Sequence, residues 1–142
     1  MTKASSVAPA EPGALLLLES ALLLAAARLL VLVVPFRVYS RAMGRAGESP
    51  DAPASSTVHR VSRAIESVSG HVPWRCQCLE QALAAKAMLR GRGISNTLYV
   101  AVARDVALEA HAWVRSGNVC VTGQAEFERY TVVARFADEA RR

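Results

Sequence analysis

Two of the three cysteines, Cys76 and Cys78, stand just ahead of the run LEQALAAKAML, and a histidine, His111, lies in the alternating stretch Leu108 to Arg115. A cysteine and a histidine held together perform acyl transfer. The thiol attacks only as the thiolate, which ordinarily half-forms near about pH 8.5, and a neighbouring imidazole takes its proton and returns it to the leaving group. The start of a helix helps twice: its free backbone N–H groups favour the thiolate and can receive a developing oxyanion. Cys78 falls within the first turn of the helix predicted from about Arg75. Cys76 and Cys78, two residues apart on a helix, point about 200° apart, so at most one of them faces His111. A competing reading stands beside this one. Cysteine is among the most buried residue types and is usually an inert small hydrophobe, and a lone histidine on a strand is more often packing than a base. Cys120, in mid-strand, reads as packing.

Other chemistries fit less well. An odd cysteine count without a regular framework does not suit a disulfide-stapled secreted domain. Cys-x-Cys with no further Cys or clustered His lacks the ligand set of a zinc site, and His59, His71 and His111 are not spaced as His-x-x-x-His. Acyl transfer by Cys and His needs no metal or nucleotide, so no cofactor is expected. The formal charge is +5. Its arginines are scattered singly, without a Lys/Arg run or interleaved aromatics, so they read as a solvated surface and no nucleic-acid partner is expected.

The elements that must position these residues follow from patterning. A chain of 142 residues, 52% hydrophobic and 20% charged, suits one globular domain with a single core. Residues 1–12 have no periodicity and read as a disordered arm; 13–142 read as one domain. Within it, 13–43 is an apolar helical segment, 44–56 a loop, and 57–142 the catalytic core. The stretch GALLLLESALLLAAARLLVLVVP is long enough to cross a bilayer. Glu19 and Arg28 oppose that, since a charge at the centre of a membrane helix costs roughly 2.5–3.5 kcal/mol, and at nine residues apart they cannot pair along the helix. The expected structure is therefore a long, largely buried helix of a cytoplasmic chain. A membrane-associated or scaffold protein anchored by residues 14–34 is the alternative. Pro35 stops the helix, and Phe36 to Met43 reads as a short helical turn.

A second long helix is predicted over about Ser56 to Ser69, where Val58, Val61, Ile65 and Val68 share a face. A third runs from about Arg75 to Leu89 or Arg90. It is apolar nearly all round, as a central buried helix is, with Cys78, Ala82, Ala85 and Leu89 in one stripe. Strands follow: Thr97 to Arg104, Leu108 to Arg115, Asn118 to Thr122 and Tyr130 to Ala137, with Ser116-Gly117 as a hairpin loop. In Leu108 to Arg115, Ala112 and Val114 share one face and His111 and Trp113 the other. The predicted fold class is α+β: N-terminal helices followed by an antiparallel sheet.

The blocks Cys78-Leu79-Glu80-Gln81-Ala82-Leu83-Ala84-Ala85-Lys86, Met88-Leu89-Arg90, Arg92-Gly93-Ile94, Thr97-Leu98-Tyr99 and Ala110-His111-Ala112-Trp113-Val114 together resemble the lasso-peptide biosynthesis B proteins, members of the transglutaminase-like, papain-related cysteine enzymes. Val121-Thr122-Gly123, Tyr130 to Ala137 and the Leu-rich helix ending Pro35-Phe36-Arg37 extend the likeness over about residues 14–137. The resemblance implies a leader peptidase that cuts the leader from a ribosomally made precursor, whose core is then closed by a separate ATP-dependent macrolactam synthetase. Some members carry their own leader-recognition domain; this chain has no room for one before its first helix, so the split form is implied, with a separate small recognition protein as partner. A transglutaminase-like amide transfer is the alternative reaction.

Carried over by position, Cys78, directly before Leu79, matches the nucleophile and His111 the base; Cys76 does not match. Related enzymes have an Asp on the strand after the histidine. With Ser116-Gly117 as the loop, Arg115 faces Asn118 and His111 faces Thr122, and cross-strand partners lie close on one face. Thr122 then occupies the orienting place, with no carboxylate in it. Glu126 and Asn118 are the alternatives, Asn118 falling beside Arg115 and far along the strand.

Overall fold

Apolar periods of 3.6 and then 2 place helices ahead of strands, and the computed structural model has that order; it describes residues 13–47, 56–72, 78–104, 108–117, 119–123 and 130–138. The arm 1–12, Cys76, Asn118 and Glu126 lie outside the described residues.

Helix α1 (Ala14–Val33) ends where Pro35 cannot continue it, and the N–H of Val34 closes on the carbonyl of Leu30 at 2.9 Å. A short α2 (Phe36–Tyr39) and a 3₁₀ turn (Ser40–Ala42) follow. Leu16, Ser20, Leu24 and Ala27 recur on one stripe of α1 and are buried. The Ser20 hydroxyl is satisfied within the helix by the Leu16 carbonyl at 2.8 Å. The expectation of a largely buried helix is corrected here: Leu15, Leu18, Leu22, Leu29 and Leu32 are 57–83% exposed. Among the described residues, α3 and α4 cover one side of the helix. The two charges that argued against a membrane have structural uses. Glu19 pairs with Arg92 at 2.6 Å and Arg28 with Glu80 at 2.9 Å, so both bind α1 to α4 and its end. By length and composition α1 could cross a membrane, a test that core helices of soluble proteins also pass.

Helix α3 (Ser56–Ser69) buries Val58, Val61, Ala64 and Ile65. Helix α4 (Cys78–Gly91) buries Ala82, Ala84, Ala85, Met88 and Leu89, and its small residues let β3 approach. Lys86, 3% exposed, crosses the interior of this layer. Its ammonium donates to Asn96 Oδ1 at 2.8 Å and to the Phe136 carbonyl at 3.0 Å, and pairs with Asp138 at 3.0 Å. One side chain thus fixes α4 against two strands with every proton placed, as a buried ammonium requires.

The sheet is antiparallel, in the order β1-β5-β2-β3-β4. Its strands are β1 (Arg45–Ala46), β2 (Asn96–Arg104), β3 (Leu108–Ser116), β4 (Val119–Thr122) and β5 (Thr131–Asp138). The segment 44–56, expected to be loop throughout, contributes β1, two residues paired with β5. Leu98, Val100, Ala112, Val114 and Val121 join the helices in the core.

The β3–β4 hairpin differs from expectation by a register shift. Gly117 has φ 58°, the left-handed region that suits glycine in a loop, while Ser116 stays in the strand opposite Val119 with its hydroxyl on the Ser95 carbonyl at 2.7 Å. A bulge follows, so that Arg115 faces Cys120 and Val114 faces Thr122. Thr122 is therefore not opposite His111. It lies three residues along, roughly 10 Å, and on the other face of the strand.

Candidate active site

Cys78 opens α4 and is half-buried, its side chain packed against the core. A helix start presents backbone N–H groups that the helix itself does not pair, and Cys78 stands in the first described turn of α4. The ion pair of Arg28 with Glu80, whose side chain is 1% exposed, anchors this turn two residues further on. Cys120 is a different kind of thiol. Burial pushes it up, away from the thiolate, Arg115 offsetting this only in part, and its sulfur donates to the Thr122 carbonyl at 3.1 Å.

His111 is half-buried on β3. Ala112 and Val114 turn toward the helices, so the alternation of the strand turns His111 and Trp113 to the other face. There the imidazole stands 5.8 Å from the Trp113 ring and 5.0 Å from the Tyr130 ring, centroid to centroid. Trp113 is itself stacked on Tyr99 at 5.4 Å. Nε2 of His111 lies 3.3 Å from the carbonyl oxygen of Gly123.

No hydrogen bond among the described residues joins Cys78 to His111. A cleft of about 250 Å³ at the edge strand β4 is lined by Ser62, Ile65, Glu66, Gln81, Thr122 and Gly123 among others, with neither Cys78 nor His111 in its lining. Gln81 is one helical turn beyond Cys78, and Gly123 is the residue that meets His111. The Ser62 hydroxyl holds α3 to β4 through the Val121 carbonyl at 2.7 Å and so sets the width of this cleft. The Thr122 hydroxyl is buried in its wall without a hydrogen-bond partner. It does not touch His111 in the manner the predicted register required.

The contact with Gly123 escaped sequence reasoning. A main-chain carbonyl has no side-chain signature, and the glycine was its only trace. His71 is spent on the Ser67 carbonyl at 2.7 Å, on the exposed end of α3. Among the described residues no three His, Cys, Asp or Glu side chains group as metal ligands would. A larger apolar cleft of about 360 Å³, between α1, the turn at Met43 and α4, is lined by none of these residues.

Cys78 thus stands at the start of α4 and His111 on β3, in an α+β chain whose helices precede its sheet. Residues 21–135 match the family model described as the transglutaminase-like superfamily. The chain belongs to the transglutaminase-like superfamily. No curated protein and no solved structure matched. The superfamily includes cysteine peptidases and transglutaminases. For this transglutaminase-like chain, the matched span takes in most of α1 and everything through β3, β4 and most of β5.

Proposed function

We propose that this chain is a cysteine peptidase that removes the leader from a ribosomally made lasso-peptide precursor, with Cys78 as nucleophile and His111 as base. The observation that carries the reading is the cleft that Gln81, one turn from Cys78, and Gly123, against His111, line together. A peptide seated there would lie across the head of α4. The Cys78 thiolate attacks the scissile carbonyl and the C–N bond breaks. His111 gives its proton to the leaving amine, and the helix N–H groups hold the oxyanion. Water then hydrolyses the thioester, His111 taking a proton from it and the thiol regaining one. Catalytic hydrogen bonds are often long without substrate and tighten once it binds.

The partners expected are the precursor's leader region, a separate small leader-recognition protein and the ATP-dependent macrolactam synthetase that uses the freed core. The test is incubation with a precursor and the recognition protein, followed by mass analysis. Hydrolysis leaves a free carboxylate on the leader, whereas transfer to an amine leaves a new amide. The first supports the peptidase reading and the second favours the amide-transfer alternative. The exposed leucine stripe of α1 favours a further reading, association with a membrane or scaffold through that helix. Recovery of a monodisperse chain without detergent would count against it.

A further inference from the structure

We propose that His111 is held as its Nε2–H tautomer by the main-chain carbonyl of Gly123 and braced by the ring of Tyr130, a carbonyl and an aromatic face standing where such a dyad would otherwise use a carboxylate. The inference rests on the reading of Cys78 and His111 as nucleophile and base. A neutral imidazole has one donor nitrogen and one acceptor nitrogen, and a carbonyl oxygen only accepts. With Gly123 O at 3.3 Å from Nε2, the proton sits on Nε2 and the lone pair on Nδ1. Nδ1 is then the nitrogen left to take the thiol proton, because the partner of one ring nitrogen fixes the role of the other.

Glycine is what brings the carbonyl in. Residue 123 has φ 73°, and a Cβ there would stand 2.8 Å from the Ala112 carbonyl oxygen and 2.8 Å from Trp113 Cβ. The same Cβ would be 3.3 Å from His111 Nε2, so an acidic side chain has no room between this backbone and the ring. Among the described residues the main chain serves instead. A carbonyl orients the imidazole but carries no full charge to stabilise the imidazolium formed when the thiol gives up its proton. The rings supply part of that. Tyr130 at 5.0 Å and Trp113 at 5.8 Å both lie within the roughly 6 Å at which an aromatic face attracts a cation. Trp113 is pinned by its stack on Tyr99, which leaves Tyr130 as the brace that can be removed singly.

The test combines a spectrum with a rate. Nitrogen-15 histidine labelling at neutral pH reads the His111 tautomer directly, in the unmodified chain. Iodoacetamide alkylation of Cys78, located by mass spectrometry, reads the thiolate. The expected results are an Nε2–H tautomer, a roughly two- to fivefold slower alkylation in Tyr130→Leu, and recovery in Tyr130→Phe. An Nδ1–H tautomer in the unmodified chain overturns the proposal, as does a Tyr130→Leu rate equal to the wild-type rate. His111→Ala separates the two levels of the argument. If it leaves alkylation unchanged, the dyad reading fails; if it slows alkylation while Tyr130→Leu does not, only the bracing fails.

Discussion

Arg28 of α1 and Glu80 of α4 form an ion pair of 2.9 Å, with the carboxylate almost wholly buried and the guanidinium side chain 31% exposed. The pair joins the apolar first helix to the turn that carries Cys78. Its two ends are unequal: without Glu80 the guanidinium can turn to water, whereas without Arg28 the carboxylate stays inside. Arg28→Met should therefore cost about 1–3 kcal/mol in urea unfolding, the range for removing one hydrogen-bond partner from a buried group, and Glu80→Gln less. A double-mutant cycle reads the coupling between them. Equal and small losses would mean that the pair does not anchor α4.

Acid should loosen the other end of the same helix. Burial raises the Asp138 carboxyl, but hydrogen bonds from Arg90 and Lys86 and their charges outweigh it and hold the group below its ordinary 3.8. The folded chain then binds the proton less readily than the unfolded one. Asp138 contributes its stability fully above its unfolded value, and loses it as pH falls through the lowered folded value. Unfolding midpoints should decline on that acid limb, and Asp138→Asn should flatten the decline. An unchanged acid limb would contradict the assignment.

Thr122 carries a buried hydroxyl without a partner, and it lines the cleft. Valine has nearly the same shape without that polar group. Thr122→Val should raise stability by about 1 kcal/mol, since an unmet buried hydroxyl costs free energy in the folded state. It should also raise KM for the precursor if the substrate supplies the missing partner. A loss of stability would show that the hydroxyl is satisfied in solution.

Much of this arrangement is legible in the sequence because it rests on local periodicity. Val58, Val61 and Ile65 mark the buried face of α3, Ala82, Ala85 and Leu89 that of α4, and Ala112 and Val114 the core face of β3. The hairpin register is not legible. Ser116-Gly117 reads as the loop, yet Ser116 stays in the strand opposite Val119, its hydroxyl on the carbonyl of the distant Ser95. The bulge before Thr122 adds a second shift. The partners of Glu19 and Arg28 are equally hidden, since Arg92 and Glu80 are brought to them only by tertiary packing. The site divides the same way. Cys78 and His111 stand out by type and spacing, while the carbonyl beside His111 has no residue identity.

The outer stripe of α1 predicts surface behaviour. Leu22 is 63% exposed, so Leu22→Gln should change the unfolding free energy by less than about 0.5 kcal/mol while raising the soluble yield. A large loss of stability would mean that this stripe is covered in solution.

The central claim is that Cys78 is the nucleophile, and its most direct test is cleavage of a precursor, with the recognition protein present, by chains carrying Cys78→Ala or Cys76→Ala. The account predicts that Cys78→Ala releases no leader and that Cys76→Ala keeps most of the wild-type rate. Leader release by Cys78→Ala would contradict it.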